Sequence, residues 1–259
     1  MGLKGKKVSE NSQPNLSPVD LIKTSKKQWI SFTVIFLISW TISLFLWFQE
    51  ELDRHILFAL NNSNFNDSLV IINQNFSRYG MSIMVLIYTL YLAFSLKFTE
   101  LRKSRQVFLL ILASFAVAGI SGDILKEIFN RPRPYQEYAN ELSFISRSIS
   151  PSMPSGHATK SLALALPFLF YGEYEGRFHT LVKYFLVFVA LMVCFSRIFL
   201  GAHYFSDVLS GIGWAFVCLP VSVMASNIIL RKMTYKKMER AAKIWVFVYF
   251  AFMIYLIFI

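Results

Sequence analysis

Long apolar runs constrain the fold of this chain more than any other feature of its sequence. A helix needs about 20 apolar residues to cross the hydrocarbon of a bilayer, and seven segments approach that length. These candidate spans are residues 29–49, 80–96, 107–127, 158–171, 182–200, 207–230 and 244–259. The fourth and the last are short, and the last either spans the membrane or lies in its interface. We therefore predict an all-α, polytopic transmembrane helix bundle with a six-helix core, and the placement of a seventh, C-terminal helix stays open.

Charge predicts the orientation of this bundle. The chain has 55% hydrophobic residues and a net charge of +11. With the N-terminus in the cytoplasm, the inner side holds most of the 26 Lys and Arg residues: six in 1–27, four in 97–106, two in 172–183 and six in 231–243. This asymmetry is typical of inner loops, and basic loops suit an anionic leaflet rather than nucleic acid. We predict an integral membrane protein that contacts membrane lipids and binds no nucleic acid. The lack of a long glycosylated region or eukaryotic sorting signal favours a bacterial inner (cytoplasmic) membrane.

The chain divides into three parts. Residues 1–27 are polar and basic, and we predict a disordered cytoplasmic tail there. Residues 28–232 carry the six-helix core, and residues 233–259 form a basic linker followed by the C-terminal apolar helix. Two segments on the outer side are long, 50–79 and 128–157. We predict that the first lies as a helix in the interface, whereas the prolines of the second rule out one long helix.

Polar residues with chemical capacity gather at the outer ends of the spans, on one side of the membrane. They are Lys126 at the end of the third span, Arg133 in the following loop, Ser155, Gly156 and His157 at the start of the fourth span, Arg197 at the end of the fifth, and His203 and Asp207 at the start of the sixth. Separate segments of the chain can therefore converge on one pocket.

The cations in this group indicate an anion site. Lys126, Arg133 and Arg197 would repel one another in a partly desolvated pocket without an anion. Phosphate fits, because it accepts forked hydrogen bonds from Arg and is attracted by the compact positive charge of Lys. Ser155 and Gly156 precede a helix, and their backbone N–H groups would face the same anion. We predict a phosphate-binding site with no metal and no cofactor.

The histidines add a reactive group. His203 and Asp207 are four residues apart and share one helical face. Asp207 can hold one ring nitrogen as a donor and leave the other nitrogen free to attack. His157 comes from another span and can protonate a departing oxygen. Nucleophile, orienting group, acid and anion cradle are thus present together.

The spacing of these residues resembles a known signature. Lys126-x6-Arg133-Pro134, Pro154-Ser155-Gly156-His157 and Ser196-Arg197-x5-His203-x3-Asp207 resemble the three motifs of the type 2 phosphatidic acid phosphatase (PAP2) superfamily, in its membrane lipid phosphatase branch. The motifs cover about residues 126–214, and the hydrophobic layout extends the resemblance to about 29–230.

The resemblance implies a metal-independent phosphatase that hydrolyses a lipid phosphate or diphosphate. His203 would form a phosphohistidine, His157 would protonate the leaving group and Asp207 would orient His203. The remaining five residues would hold the phosphoryl oxygens: Lys126, Arg133, Ser155, Gly156 and Arg197. Polyprenyl diphosphate, phosphatidylglycerophosphate, phosphatidic acid and a lipid A phosphate all fit as substrates.

Several alternatives stay open. A vanadium haloperoxidase-like enzyme resembles the same superfamily, although such enzymes are typically soluble. A non-catalytic lipid-phosphate binding or transport protein would keep only the anion cradle. Arg131 is either a second phosphate contact or a solvated charge, Asp123 is placed to pair with Lys126 one turn away, and Lys160 faces either the pocket or the headgroups. The sequence does not predict the oligomeric state.

Overall fold

The computed structural model describes residues 18–61, 66–98, 101, 104–172 and 176–257. These residues form nine helices and no strand. In chain order they are α1 (Lys26–Phe48), α2 (Glu50–Leu60), α3 (Asp67–Lys97), α4 (Ser104–Phe129), α5 (Pro134–Tyr138), α6 (Gly156–Tyr171), α7 (Arg177–Phe199), α8 (Phe205–Leu230) and α9 (Tyr235–Ile257). Within the described ranges, α1, α3, α4, α7 and α8 are long and apolar enough to cross a membrane. The predicted all-α polytopic bundle is confirmed.

Helix α6 lies at the centre of the bundle. It packs against α3, α4, α7 and α8, and most of its 16 residues are buried. A helix enclosed by other helices need not match the full hydrocarbon thickness, because protein rather than lipid surrounds its ends. This explains why the fourth predicted span is short. Helix α9 packs on the outside of the bundle against α3 and α4.

Hydroxyl and indole side chains form hydrogen bonds between neighbouring helices. Trp40 on α1 donates from Nε1 to the Ser210 carbonyl on α8 at 3.0 Å, and the Ser43 hydroxyl donates to the Ser206 carbonyl at 2.8 Å. Such bonds satisfy polar groups that the hydrocarbon cannot. Gly211 on α8 allows a close approach of backbone from α6: a Cβ there would lie 2.7 Å from the Ser155 carbonyl oxygen. The start of α6 is therefore seated directly on α8.

Two helices begin earlier in the chain than the apolar runs predict. Helix α3 begins at Asp67 rather than near residue 80, and its 31 residues extend over about 46 Å, beyond the roughly 30 Å of hydrocarbon. The polar residues Asn73, Asn75 and Arg78 interrupt the apolar run in the sequence but not the helix. In residues 233–259, for which we predicted a basic linker and an apolar helix, α9 begins at Tyr235 and includes the basic residues.

The end of the predicted tail is anchored. The Ile22 N–H donates to Asn227 Oδ1 at 2.9 Å, and Asn227 Nδ2 donates back to the Ile22 carbonyl at 2.8 Å. The Thr24 and Tyr171 hydroxyls are 2.7 Å apart. Residues 18–25, which we predicted to be disordered, thus pack along the opposite end of the bundle from the polar cluster. Residues 1–17 lie outside the described residues.

Candidate active site

The eight predicted site residues meet at one end of the bundle. Helices α4 and α7 end there, and α6 and α8 begin there, so each helix terminus contributes side chains to one small volume. The loop from residue 130 to residue 155 closes over this end. The structure thus brings together residues that are up to about 80 positions apart in the sequence.

His203 is held by the end of α7. The backbone N–H groups of Ala202 and His203 both donate to the Arg197 carbonyl, at 3.0 and 3.2 Å. The turn requires Gly201, whose φ is +62° and where a Cβ would lie 2.5 Å from the Phe144 carbonyl oxygen. His203 is only 1% exposed. Its position is therefore fixed by backbone contacts rather than by its side chain alone.

The two ring nitrogens of His203 have different partners. Nδ1 lies 3.2 Å from the Ser152 hydroxyl and 3.5 Å from Asp207 Oδ2. Nε2 lies 3.2 Å from Arg133 Nη1. A guanidinium can only donate, so Nε2 is the acceptor and the proton is on Nδ1. Nε2 thus presents its lone pair beside a cation.

Burial keeps this imidazole neutral. Burial lowers the pKa of His203 to about 3; the hydrogen bond with Asp207 opposes that shift, and the positive charge of Arg133 adds to it. The neutral ring is the form that can act as a nucleophile.

Ser152 connects His203 to Asp207. Its hydroxyl donates to Asp207 Oδ2 at 2.5 Å and can accept the proton of His203 Nδ1. The Tyr204 N–H also donates to Oδ2, at 2.9 Å. Asp207 is therefore close to His203, but the prediction that the two share one helical face is wrong, because α8 begins at Phe205 and His203 lies in the turn before it; part of the contact also passes through a serine hydroxyl. Nothing in the sequence pattern distinguishes Ser152 from its neighbours Ser148 and Ser150.

Arg131 is neither a phosphate contact nor a solvated charge. It is 6% exposed and forms two buried ion pairs, from Nη1 to Asp207 Oδ1 at 2.8 Å and from Nη2 to Asp53 Oδ2 at 3.0 Å. Burial lowers the pKa of Arg131, but the carboxylates of Asp207 and Asp53 outweigh this effect and raise it. Asp53 comes from α2, and sequence reasoning missed it because Glu50 and Glu51 precede it without any distinguishing pattern.

Arg133 and Lys126 converge on Ser150. Arg133 is 2% exposed and donates from Nε to the Ser150 carbonyl at 2.6 Å, from Nη1 to the Ala202 carbonyl at 2.9 Å and from Nη2 to the Ser150 hydroxyl at 3.1 Å. Burial lowers its pKa. Lys126 Nζ donates to the same hydroxyl at 3.2 Å. In the described part of the chain no ion pair joins Asp123 to Lys126, and Asp123 is exposed.

The start of α6 lies beside the Lys126 ammonium group. A Cβ at Gly156 would lie 3.4 Å from Lys126 Nζ, so the ammonium group lies over this glycine. The Ser155 N–H, which we expected to face the anion, instead donates to the Asp207 carbonyl at 2.8 Å. The Ser155 hydroxyl and Arg197 Nε are buried and have no hydrogen-bond partner among the described atoms. Another nitrogen of Arg197, Nη1, donates to the Ser77 hydroxyl.

His157 and Lys160 lie on the first turns of α6. His157 is half-buried and close enough to Arg197 and Lys126 to interact with their charges. The aliphatic stem of Lys160 lies against α4, with Cε 3.4 Å from where a Cβ of Gly119 would be. Within the described ranges, no group of three or more His, Cys, Asp or Glu side chains could hold a metal ion.

The fold is a bundle of membrane-spanning helices. At one end of it, a buried neutral histidine has a carboxylate beside one ring nitrogen and cations near the other, an arrangement suited to a phosphate-like anion. Residues 107–229 match the family model of the PAP2 superfamily. The match spans just under half of the chain and includes all three motifs, so the predicted resemblance to the PAP2 superfamily is confirmed.

A solved structure supports the same fold. The chain is similar to the crystal structure of the first transmembrane PAP2 type phosphatidylglycerolphosphate phosphatase from Bacillus subtilis, with 20% sequence identity and a TM-score of 0.57. The match covers 77% of this chain and 96% of that one. At this identity the likeness concerns the fold alone. No curated protein sequence matches the chain.

Proposed function

We propose that this chain is a metal-independent membrane phosphatase that hydrolyses a lipid phosphate or diphosphate through a phosphohistidine on His203. The observation that carries the proposal is the arrangement of the His203 ring. Nδ1 faces Ser152 and Asp207, whereas Nε2 carries the lone pair and accepts from Arg133 Nη1 at 3.2 Å, a bond that Arg133 gives up when it turns to the phosphoryl oxygens. A ring fixed in this tautomer, neutral and surrounded by cations, is suited to attack a phosphorus atom.

The first step transfers the phosphoryl group to the enzyme. The Nε2 lone pair of His203 forms a bond to phosphorus while the bond from phosphorus to the lipid oxygen breaks. The electron pair of that bond goes to the leaving oxygen, which takes a proton from His157. Arg133, Lys126 and Arg197 hold the phosphoryl oxygens, and the Ser155 hydroxyl and the first amides of α6 add neutral donors. Asp207 and Ser152 stabilise the imidazolium character that develops on His203.

The second step releases phosphate. A water molecule loses a proton to His157, and its oxygen attacks phosphorus while the bond to Nε2 breaks. The electron pair returns to Nε2, and inorganic phosphate leaves. His157 thus regains the proton that it donated in the first step, and His203 regains its lone pair.

The position of the site suits a lipid substrate. It lies at the end of an apolar bundle, where a headgroup can enter while its chains stay in the bilayer. We propose that this end faces the outside of a bacterial inner membrane and that the N-terminus is cytoplasmic. The two native cysteines are buried, so a cysteine introduced at the exposed Ile149 is expected to react with a membrane-impermeant maleimide in intact cells. One introduced at the exposed Lys232 is expected to react only after lysis, and the reverse pattern would refute the orientation.

The activity test uses protein purified in detergent with a chelator and a panel of lipid phosphates and diphosphates. We expect phosphate release by the wild-type chain and none by His203→Ala. Release from no member of the panel, or undiminished release by His203→Ala, would refute the proposal. Bromide or chloride oxidation in the presence of vanadate would instead support the haloperoxidase alternative.

A leaving-group comparison tests the role of His157. A nitrophenyl phosphate needs no proton to leave, so His157→Ala is expected to form the phosphoenzyme from it at nearly the wild-type rate but to hydrolyse that intermediate slowly. An alkyl phosphate should react slowly in the first step. Equal losses with both leaving groups would exclude His157 as the acid.

A further inference from the structure

We propose that Asp53 and Arg131 are positioning residues for Asp207: Arg131 fixes the carboxylate, and Asp53 offsets the charge of Arg131, so that Asp207 acts on His203 as an anion. This inference rests on the proposed function, since it concerns the histidine that we assign as the nucleophile. Neither residue belongs to the three motifs that identify the superfamily, and neither is placed to contact the phosphoryl group.

A continuous buried chain of contacts connects α2 to the nucleophile. Asp53 Oδ2 accepts from Arg131 Nη2 at 3.0 Å, and Arg131 Nη1 donates to Asp207 Oδ1 at 2.8 Å. Asp53 and Asp207 are 0% exposed and Arg131 is 6% exposed. Ser206 strengthens the connection, because its N–H and its hydroxyl both donate to Asp53. Solvent screening is weak at such a site, so these charges act at nearly full strength.

Because of Arg131, the two carboxylate oxygens of Asp207 have different partners. Arg131 occupies Oδ1, and this leaves Oδ2 to accept from Ser152 and from the Tyr204 N–H. The guanidinium lies 4.0 Å above the centre of the Tyr204 ring and 5.8 Å from that of Trp47. Held between carboxylates and aromatic rings, Arg131 cannot turn toward the phosphate, and it keeps the carboxylate of Asp207 in a single orientation.

The charge balance explains why a second carboxylate is needed. Asp207 paired with Arg131 alone would be neutral as a unit, and it would give little stabilisation to the positive charge that develops on His203 when Nε2 bonds to phosphorus. With Asp53, the three side chains carry a net charge of −1 beside the ring. Asp53 therefore restores the anionic character that Arg131 would otherwise cancel.

The test is a double-mutant cycle with Asp53→Asn, Arg131→Gln and the double variant, assayed for phosphate release from the best lipid substrate. Asp53→Asn removes the offsetting charge but keeps Arg131, so kcat is expected to fall about 10- to 100-fold with KM within about twofold. Arg131→Gln removes the charge that needs offsetting. The double variant is therefore expected to be faster than Asp53→Asn alone. The matched control is Glu51→Gln, because Glu51 lies on the same helix with an 87% exposed side chain and its change should leave kcat as in the wild type.

Each outcome is decisive. A wild-type kcat in Asp53→Asn, or losses in the double variant equal to the product of the single losses, would overturn the inference. If Asp53→Asn does not fold, as judged by gel filtration and thermal unfolding, Asp53→Glu is compared with Asp53→Gln, which is similar in size and lacks the charge. Glu is expected to turn over faster, and equal rates would overturn the inference. Wild type and His203→Ala are assayed in parallel, so failure of the proposed function, with no wild-type turnover, is distinguished from failure of this inference alone.

Discussion

Gly211→Ala is predicted to displace active-site residues on α6, although Gly211 itself lies on the neighbouring helix α8. The added Cβ would lie 2.7 Å from the Ser155 carbonyl oxygen, about 0.7 Å closer than the 3.4 Å at which ordinary contact begins. It would also lie 3.1 Å from Ala158 Cβ and from Thr159 Oγ1. Backbone cannot yield as a flexible side chain does, so α6 must move away from α8, at a cost of about 1–3 kcal/mol.

The same movement should disturb catalysis without unfolding the protein. The start of α6 carries Ser155, Gly156 and His157, and it is tied to α8 by the bond from the Ser155 N–H to the Asp207 carbonyl. A misplacement of about 1 Å can cost roughly 100-fold in rate. We therefore expect Gly211→Ala to lower kcat about 10- to 100-fold in the lipid phosphate assay, while most of the protein remains folded in detergent.

Gly122→Ala on α4 is the matched control. A Cβ there meets nothing within 4 Å, and alanine is favoured over glycine in a helix by up to about 1 kcal/mol. It should leave activity unchanged and raise the unfolding temperature slightly. The reasoning is refuted if Gly211→Ala keeps wild-type kcat, or if both variants lose activity to the same extent.

Three further predictions concern the groups around His203. Ser152→Ala removes the hydroxyl between His203 and Asp207 and is expected to lower kcat about 10- to 100-fold at nearly unchanged KM in steady-state assays; an unchanged kcat would exclude a bridging role. Because the pKa of His203 is lowered to about 3, the nucleophile stays neutral above that pH. The pH profile of kcat/KM, corrected for substrate ionisation, should therefore show no acid limb near pH 6.5, and such a limb assigned to His203 would contradict its burial. Asn61→Ala leaves the Phe144 and Phe199 carbonyls without their Asn61 donor and should lower the free energy of unfolding by about 1–3 kcal/mol, measured by denaturant titration in detergent.

The sequence predicted the helical core because burial in lipid is a local property of each segment. Apolar runs of sufficient length are readable one at a time, and the structure has a helix at each of the seven predicted positions. The boundaries were less accurate. The tail segment around Ile22 and Thr24 is stabilised by hydrogen bonds to α8 and α6, which no window of sequence reports.

The sequence by itself determined which residues gather at one end of the bundle. The short spacing keeps His203 near Asp207, although His203 precedes α8 rather than sharing its helical face, and Lys126 and Arg197 lie at the same level because each ends an apolar run. Sequence spacing and span length determine both facts, because neither depends on how the helices pack.

Only the tertiary structure decided how these residues are connected. In the sequence, Arg131 has the pattern of a loop cation. In the fold it forms two buried ion pairs, one of them with Asp53 of α2, which lies more than 70 positions away in the chain. Ser152 reached the space between His203 and Asp207 because the loop before α6 folds back over α8. Such contacts join segments that are remote in the chain, and their strength comes from shared burial. No local pattern of residues predicts that burial, so only the packing of the helices shows which residues contact the site residues.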